Sequence, residues 1–247
     1  PFGKILRGKV VPNTVTKTLP TDKVYEPDLN SFTIEPFPYY SPLKSQIETI
    51  KSFDRPVILV DDLVHKADRL QVLVPQLRED GIPIRKVVVG VLSGYGRDLM
   101  QCLKVPVESI YSMPNLRQWF VESTLYPFIG GDTVRREEMK VAGLQPSINM
   151  ILPYATPRLS GCSREALVEF SACCIENSKN LFQVLEAEYR KMYAKNLTLS
   201  RLSEAVILPL CPDKGSCMEY DENLAASVYL ENDLETLWRM KEFLIKR

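Results

Sequence analysis

The sequence lacks a net charge, a long apolar run and a dense set of cysteines. Its 247 residues hold 31 Lys plus Arg against 31 Asp plus Glu, so no electrostatic footprint of duplex nucleic acid or of an anionic membrane surface is visible. The longest apolar runs, such as 87–92 and 205–210, are far shorter than the roughly 20 residues of a transmembrane helix. We therefore expect neither a nucleic acid duplex nor a membrane among its partners.

The six cysteines do not resemble a disulfide framework, since Cys173 and Cys174 are adjacent in a helical pattern. The separation of Cys211 and Cys217 is wider than that of the two cysteines in the usual structural zinc site. The alternative to a metal site there is that both are buried or loop thiols. The first residues do not form a signal peptide. We expect a cytoplasmic chain that is processed, or excised from a longer protein.

Hydrophobic residues make up 45% and charged residues 25% of the chain, which is ordinary for a globular protein. Short β-branched runs at 56–60, 86–92 and 107–111 alternate with helical patterns. This order predicts an α/β fold in which helices flank a parallel sheet. The first run has the composition of a strand covered on both faces, and strands are also expected at 4–11 and 32–34.

The sequence predicts an α/β domain over 1–135, a connection over 136–160 and a mainly helical part over 161–247. Ser41 is expected to cap a first helix, and Ser163 to cap a long helix that runs to about residue 196. The pair Asn232 and Glu235 resembles a capping box at the start of the last helix.

Two acids, Asp61 and Asp62, follow the first buried run, and the turn Ser93-Gly94-Tyr95-Gly96-Arg97 follows the second. In open α/β sheets, ligands bind at the carboxyl ends of the strands. We therefore expect both segments to lie at one ligand site.

The segment Val57-Ile58-Leu59-Val60-Asp61-Asp62-Leu63-Val64 resembles the signature of the type I phosphoribosyltransferases. The resemblance implies that the two acids meet the ribose hydroxyls and the Mg²⁺ shell of phosphoribosyl pyrophosphate. It also implies a phosphate loop directly after the strand, with backbone amides at a helix N-terminus. The match covers about residues 45–115.

The chain departs from the family at the phosphate loop, where His65-Lys66-Ala67-Asp68-Arg69 replaces a Thr/Gly-rich turn. His65, Lys66 and Arg69 could bind phosphate oxygens through charge-assisted hydrogen bonds, whereas Asp68 opposes this unless it caps a helix. Ser93, Gly94, Gly96 and Arg97 could admit a phosphate or a base edge. Residues 6–9 are the only candidate for the upstream pyrophosphate loop.

Each of these features also has a purely structural interpretation. The acids could be a solvated strand end that caps the next helix, His65 an ordinary loop residue, and the Ser93 segment a tight turn. Aromatic residues within 115–128 could form a platform for a base, although packing is the commoner use. The segment 130–136, which ends with Arg135 and Arg136, could close over an anion or act as a hinge.

The sequence thus predicts binding of a phosphorylated sugar or nucleotide with Mg²⁺, and phosphoribosyl transfer if the chain is active. The alternative is a non-catalytic sensing or interaction module that contacts other domains of a longer chain or a second copy. A further alternative is the C-terminal part of a larger cytidylyltransferase-related multidomain protein. The His-x-Gly-His pattern of nucleotidyltransferases is absent from the sequence.

Overall fold

The computed structural model describes residues 17–37, 40–117, 119, 122–135, 145–157, 159, 161–202, 207–209 and 220–245. The described chain forms two compact units, which we call unit 1 (up to residue 23, and 33–119) and unit 2 (24–32, and from 120 onwards). The predicted strand at 4–11, the candidate pyrophosphate loop at 6–9, and the residues Arg136, Cys211 and Cys217 lie outside the described residues. The domain limits given by the sequence stay predictions.

The strands are β1 (Thr21–Tyr25), β2 (Phe32–Pro36), β3 (Val57–Val64), β4 (Ile84–Ser93), β5 (Val107–Met113), β6 (Asp132–Val134), β7 (Gln145–Ile148) and β8 (Ile207–Pro209). The helices are α1 (Leu43–Lys51), α2 (Asp68–Glu79), α3 (Gly94–Cys102), α4 (Arg164–Tyr193), α5 (Leu199–Leu202) and α6 (Ala226–Ile245). A 3-10 helix spans Glu122–Leu125.

Unit 1 is built on a parallel three-stranded sheet in the order β3-β4-β5. Helices α2 and α3 cover one face of this sheet and enclose a core of aliphatic side chains. The buried members of that core are Val64, Leu70, Val74, Val87, Val89, Leu92, Met100 and Val105. The predicted combination of a parallel sheet, flanking helices and a helical C-terminal part is confirmed.

The other face of the same sheet is open, which corrects the expectation of strands covered on both faces. Ile58 and Val60 are 47% and 52% exposed, and Ile110 in β5 is 75% exposed. Burial alternates along β3 until Asp62, as expected for a strand with one covered face.

Helix starts in unit 1 agree only in part with the sequence. Ser93 caps α3 by accepting a hydrogen bond from Gly96 N. The helix therefore begins at Gly94, within the segment 93–96 that was predicted to be a turn before the helix. Helix α1 has Pro42 at its N-cap position without a side-chain cap, so the prediction for Ser41 was wrong. Helix α2 follows Ala67, which has a left-handed backbone, and contains Pro75.

Unit 2 includes strands of a second sheet, in which the strand order is β2-β1-β6-β7-β8. Its main core forms where α4 packs against α6 and the neighbouring strands. Ser163 caps α4 as predicted, accepting from Ala166 N at 3.2 Å. The last helix begins at Ala226 rather than at Asn232, because Ala226 and Leu230 are already buried in the core.

No helix in the described ranges has both the length and the apolar character needed to cross a bilayer.

Candidate functional site

Asp61 and Asp62 lie inside β3 and not after it, because the strand continues through Leu63 to Val64. The expected position at the strand end is therefore corrected by two residues. Asp61 is in register with Val89 of β4, on the face that the helices cover. Successive strand residues point to opposite faces, so Asp62 belongs to the open face, where it is exposed.

Each of the two carboxylates accepts a hydrogen bond from the next backbone amide. Asp62 N donates to Asp61 Oδ1 at 3.0 Å, and Leu63 N donates to Asp62 Oδ1 at 2.8 Å. Burial raises the pKa of the Asp61 carboxyl above its ordinary value, and the neighbouring Asp62 carboxylate adds to the rise. The Asp62 amide and the positive charge of Arg69 act in the opposite direction. The charges of Asp62 and Arg69 therefore both act on the protonation of Asp61.

His65, which directly follows β3, is joined to the end of β4. Its Nδ1 lies 2.9 Å from Ser93 Oγ, and the same oxygen accepts from Gly96 N at 2.9 Å. The side chain of Ser93 is buried, with 1% exposure. The β3–α2 loop and the N-terminus of α3 are thus held together through one hydroxyl group.

Gly94 and Gly96 are required by close packing within unit 1. A β-carbon on Gly94 would lie 2.5 Å from the carbonyl oxygen of Pro114, and one on Gly96 would lie 2.3 Å from that of Val64. The close approach that glycine permits here is to the chain itself. These two contacts favour the structural interpretation of the turn, because they explain both glycines without a ligand.

The loop between β3 and α2 has a backbone conformation that glycine usually adopts. Ala67 has a φ of 52°, in the left-handed region that side chains disfavour. Lys66 and Arg69 are exposed. Asp68 pairs with Lys23 of β1, with Nζ and Oδ2 2.8 Å apart, so its charge is balanced by a residue that the sequence did not indicate.

Two further side chains lie at this edge of the sheet. Arg97 Nη2 donates to Ser112 Oγ at 2.5 Å, near the end of β5. Tyr95 is 59% exposed, and its ring meets the His65 ring edge-on with centroids 6.1 Å apart. Tyr95 was not predicted as a site residue, although its position between Gly94 and Gly96 is the signal that could have identified it.

No family model, curated protein or solved structure matches this chain.

The acids and the loops fit Mg²⁺ only together with a ligand. Magnesium in proteins is commonly held by one or two carboxylates, water and the phosphates of a substrate. Asp62 is exposed and could supply such a carboxylate from the open face, whereas Asp61 lies on the face that the helices cover. Among the described residues, no group of three or more His, Cys, Asp or Glu side chains is arranged to hold a metal ion by itself.

The remaining candidate segments are 115–128, which is divided between the two units, and 130–136, which belongs to unit 2. Phe128 is fully buried and Trp119 is 51% exposed, so the aromatic residues of 115–128 do not share one environment. Arg135 Nε pairs with Glu26 Oε1 at 3.0 Å. A cavity of about 400 Å³ near the end of α4 contains none of the predicted site residues. It is lined by Ala194, Lys195, Asn196, Thr198, Ser200, Arg201 and Asn223.

Proposed function

We propose that unit 1 binds a phosphorylated sugar or a nucleotide at the carboxyl edge of its three-stranded sheet. The observation that carries the proposal is the contact between His65 Nδ1 and Ser93 Oγ, which brings two loops together where ligands bind in α/β sheets. The proposal is that the site binds such a ligand. If the chain is catalytically active, the reaction we propose is transfer of a phosphoribosyl group.

Positive charge and backbone amides supply the affinity for phosphate. Helices α2 and α3 both begin at this edge, and the N-terminal amides of a helix favour anions. Lys66, Arg69 and Arg97 are exposed beside them, and their side chains can form charge-assisted hydrogen bonds with phosphate oxygens. Because Lys23 balances Asp68, this acid opposes an incoming anion less than the sequence suggested.

The acids supply the contacts to sugar and metal in this proposal. The exposed carboxylate of Asp62 can accept hydrogen bonds from ribose hydroxyls or coordinate Mg²⁺ that is shared with ligand phosphates. Asp61 lies on the helix side with its half-buried carboxylate close enough to Arg69 to feel its charge, and it adds a second negative charge that attracts Mg²⁺. Bound Mg²⁺ would neutralise phosphate charge, and in a transfer reaction it would stabilise the departing pyrophosphate.

The open face of the sheet favours a second candidate, a non-catalytic interaction module. Parallel sheets are almost always covered on both faces, whereas Ile58, Val60 and Ile110 are exposed here. Exposed aliphatic side chains beside charged ones, here the pair Lys86 and Glu108, are typical of a surface that contacts another protein or domain. In that case the loops at the carboxyl edge would be structural.

Ligand-dependent unfolding separates the two candidates. Intrinsic fluorescence would be followed during heating with Mg²⁺ alone, with Mg²⁺ and phosphoribosyl pyrophosphate, with Mg²⁺ and AMP or ATP, and with inorganic phosphate. A ligand at 100 times its Kd adds about 2.7 kcal/mol to the free energy of unfolding. We expect at least one phosphorylated sugar or nucleotide to stabilise the wild type.

The decisive variant is Asp61→Asn with Asp62→Asn, because asparagine keeps an oxygen that can accept the amide hydrogen bonds of Asp62 and Leu63. Its matched control is Glu79→Gln with Asp80→Asn, an adjacent acid pair at the other end of α2. The first variant should lose the ligand-dependent stabilisation, and the control should keep it. If no phosphate ligand stabilises the wild type, the binding proposal is wrong and the interaction module is favoured.

A further inference from the structure

The hydroxyl group of Ser93 has a well-defined set of neighbours. It is buried, it accepts a hydrogen bond from Gly96 N, and it lies 2.9 Å from His65 Nδ1. A serine hydroxyl has one hydrogen to donate and two lone pairs that accept. The Gly96 N–H group occupies one lone pair of Ser93 Oγ. The hydroxyl hydrogen of Ser93 needs an acceptor of its own.

Within the described residues, His65 Nδ1 is the acceptor that the structure offers to this hydrogen. If Nδ1 carried its own hydrogen and donated it to Oγ, the buried Ser93 hydroxyl hydrogen would have no acceptor there, which is unfavourable. If the hydroxyl donates to Nδ1, both groups are satisfied. In that arrangement the neutral imidazole carries its hydrogen on Nε2.

The second ring nitrogen, Nε2, is available to a ligand. His65 is half-buried, and its Nε2 forms no hydrogen bond with the described part of the chain. His65 Nε2 is not among the buried side-chain nitrogen and oxygen atoms that lack a hydrogen-bond partner, so it is accessible to solvent. An Nε2–H group is a hydrogen-bond donor, so it suits an acceptor such as a phosphate oxygen.

We propose that Ser93 is a positioning residue that holds His65 in the Nε2–H tautomer, so that the ring offers a hydrogen-bond donor to an anionic oxygen of the ligand. The ligand part of this inference rests on the proposed function, whereas the tautomer part does not. Ser93 therefore has two roles through one oxygen atom: it caps α3 and it orients the ring that follows β3.

Nuclear magnetic resonance of the histidine ring tests the tautomer directly. His65 is the only histidine among the 247 residues, so ¹⁵N-labelled histidine gives one pair of ring nitrogens. At a pH where the ring is neutral, we expect a protonated Nε2 and an unprotonated Nδ1 in the wild type. A wild-type spectrum with the hydrogen on Nδ1 would overturn the proposal whatever the variants do.

Three variants distinguish positioning from a general structural effect. Ser93→Ala should lower the ratio of the Nε2–H to the Nδ1–H tautomer at least about fivefold, and Ser93→Thr, which keeps a hydroxyl, should restore it. Ser163→Ala removes a matched helix cap from α4 and should leave the ratio unchanged. An unchanged ratio in a folded Ser93→Ala protein would contradict the assignment.

Titration of the wild type with phosphoribosyl pyrophosphate and Mg²⁺ separates this inference from the proposed function. A shift of the Nε2 resonance that follows the thermal stabilisation supports the donor role. Stabilisation without any change at Nε2 overturns the donor role and leaves the proposed function in place. If the tautomer is fixed but no phosphorylated ligand binds, the role of Ser93 is supported while the ligand part and the proposed function both fail.

Discussion

A β-carbon on Gly96 would lie 2.3 Å from the backbone carbonyl oxygen of Val64, so α3 and the end of β3 approach each other as closely as their backbones allow. Gly96→Ala must displace one of the two elements. We expect a loss of about 1–3 kcal/mol in the free energy of unfolding, measured by urea denaturation. Gln101→Ala, at an exposed position of the same helix, should change the stability by less than about 0.5 kcal/mol. Equal effects of the two substitutions would disprove the steric argument.

Ala67 carries a left-handed backbone that a glycine would adopt without strain. Ala67→Gly relieves about 1–2 kcal/mol of strain in the folded state. It also stabilises the unfolded chain by about 0.4–1 kcal/mol, because glycine gives that chain more backbone freedom. We therefore expect a net gain of roughly 0.5–1 kcal/mol in urea denaturation, from the difference between those terms. The same substitution at the exposed, helical Ala187 should cost about 1 kcal/mol. A loss at both positions would contradict the assigned conformation of Ala67.

Asp61 should make the stability of the fold depend on pH. Because burial raises the pKa of its carboxyl above the ordinary value of 3.8, its contribution is fully present below pH 3.8 and is lost as the pH rises through the folded-state pKa. Asp61→Asn does not titrate, so the stability of this variant relative to the wild type should increase between pH 4 and pH 7. Urea denaturation at both pH values measures the difference. A relative decrease over this interval would refute the assignment.

Adjacent cysteines in α4 should differ in reactivity. Cys173 is exposed, whereas burial raises the pKa of the Cys174 thiol to about 11, so roughly one Cys174 in a thousand is a thiolate at pH 8. We expect iodoacetamide to label Cys173 at least about tenfold faster in the native protein, as assigned by tandem mass spectrometry. In concentrated urea the difference should largely disappear. Equal native rates would contradict the burial of Cys174.

The sequence predicted features that depend on near neighbours. The run through Val87 and Val89 was assigned to a strand because of its β-branched composition and to a parallel sheet because such runs alternate with helical patterns, and the cap at Ser163 follows from residue type and local spacing. Both are confirmed by the structure. The strand and the cap are encoded within a few residues, and the parallel arrangement follows from the order of the elements along the chain.

The features that the sequence did not indicate depend on contacts between distant residues. The acids of β3 are poor strand formers, yet pairing with β4 extends the strand through them. Lys23 and Asp68 are 45 positions apart, and His65 and Ser93 are 28 apart. The parallel topology predicted that the last two residues would lie at one edge, but their hydrogen bond depends on the tertiary packing of β3 against β4.

The open face of the three-stranded sheet has a practical consequence for the measurements of stability proposed above. Hydrophobic reporter dyes fluoresce when they adsorb to apolar surface, and Ile58, Val60 and Ile110 present such surface in the native protein. A dye-based melting assay would therefore begin with a high native signal and compress the transition. Tryptophan fluorescence and circular dichroism do not depend on adsorption, so these are the appropriate probes for this chain.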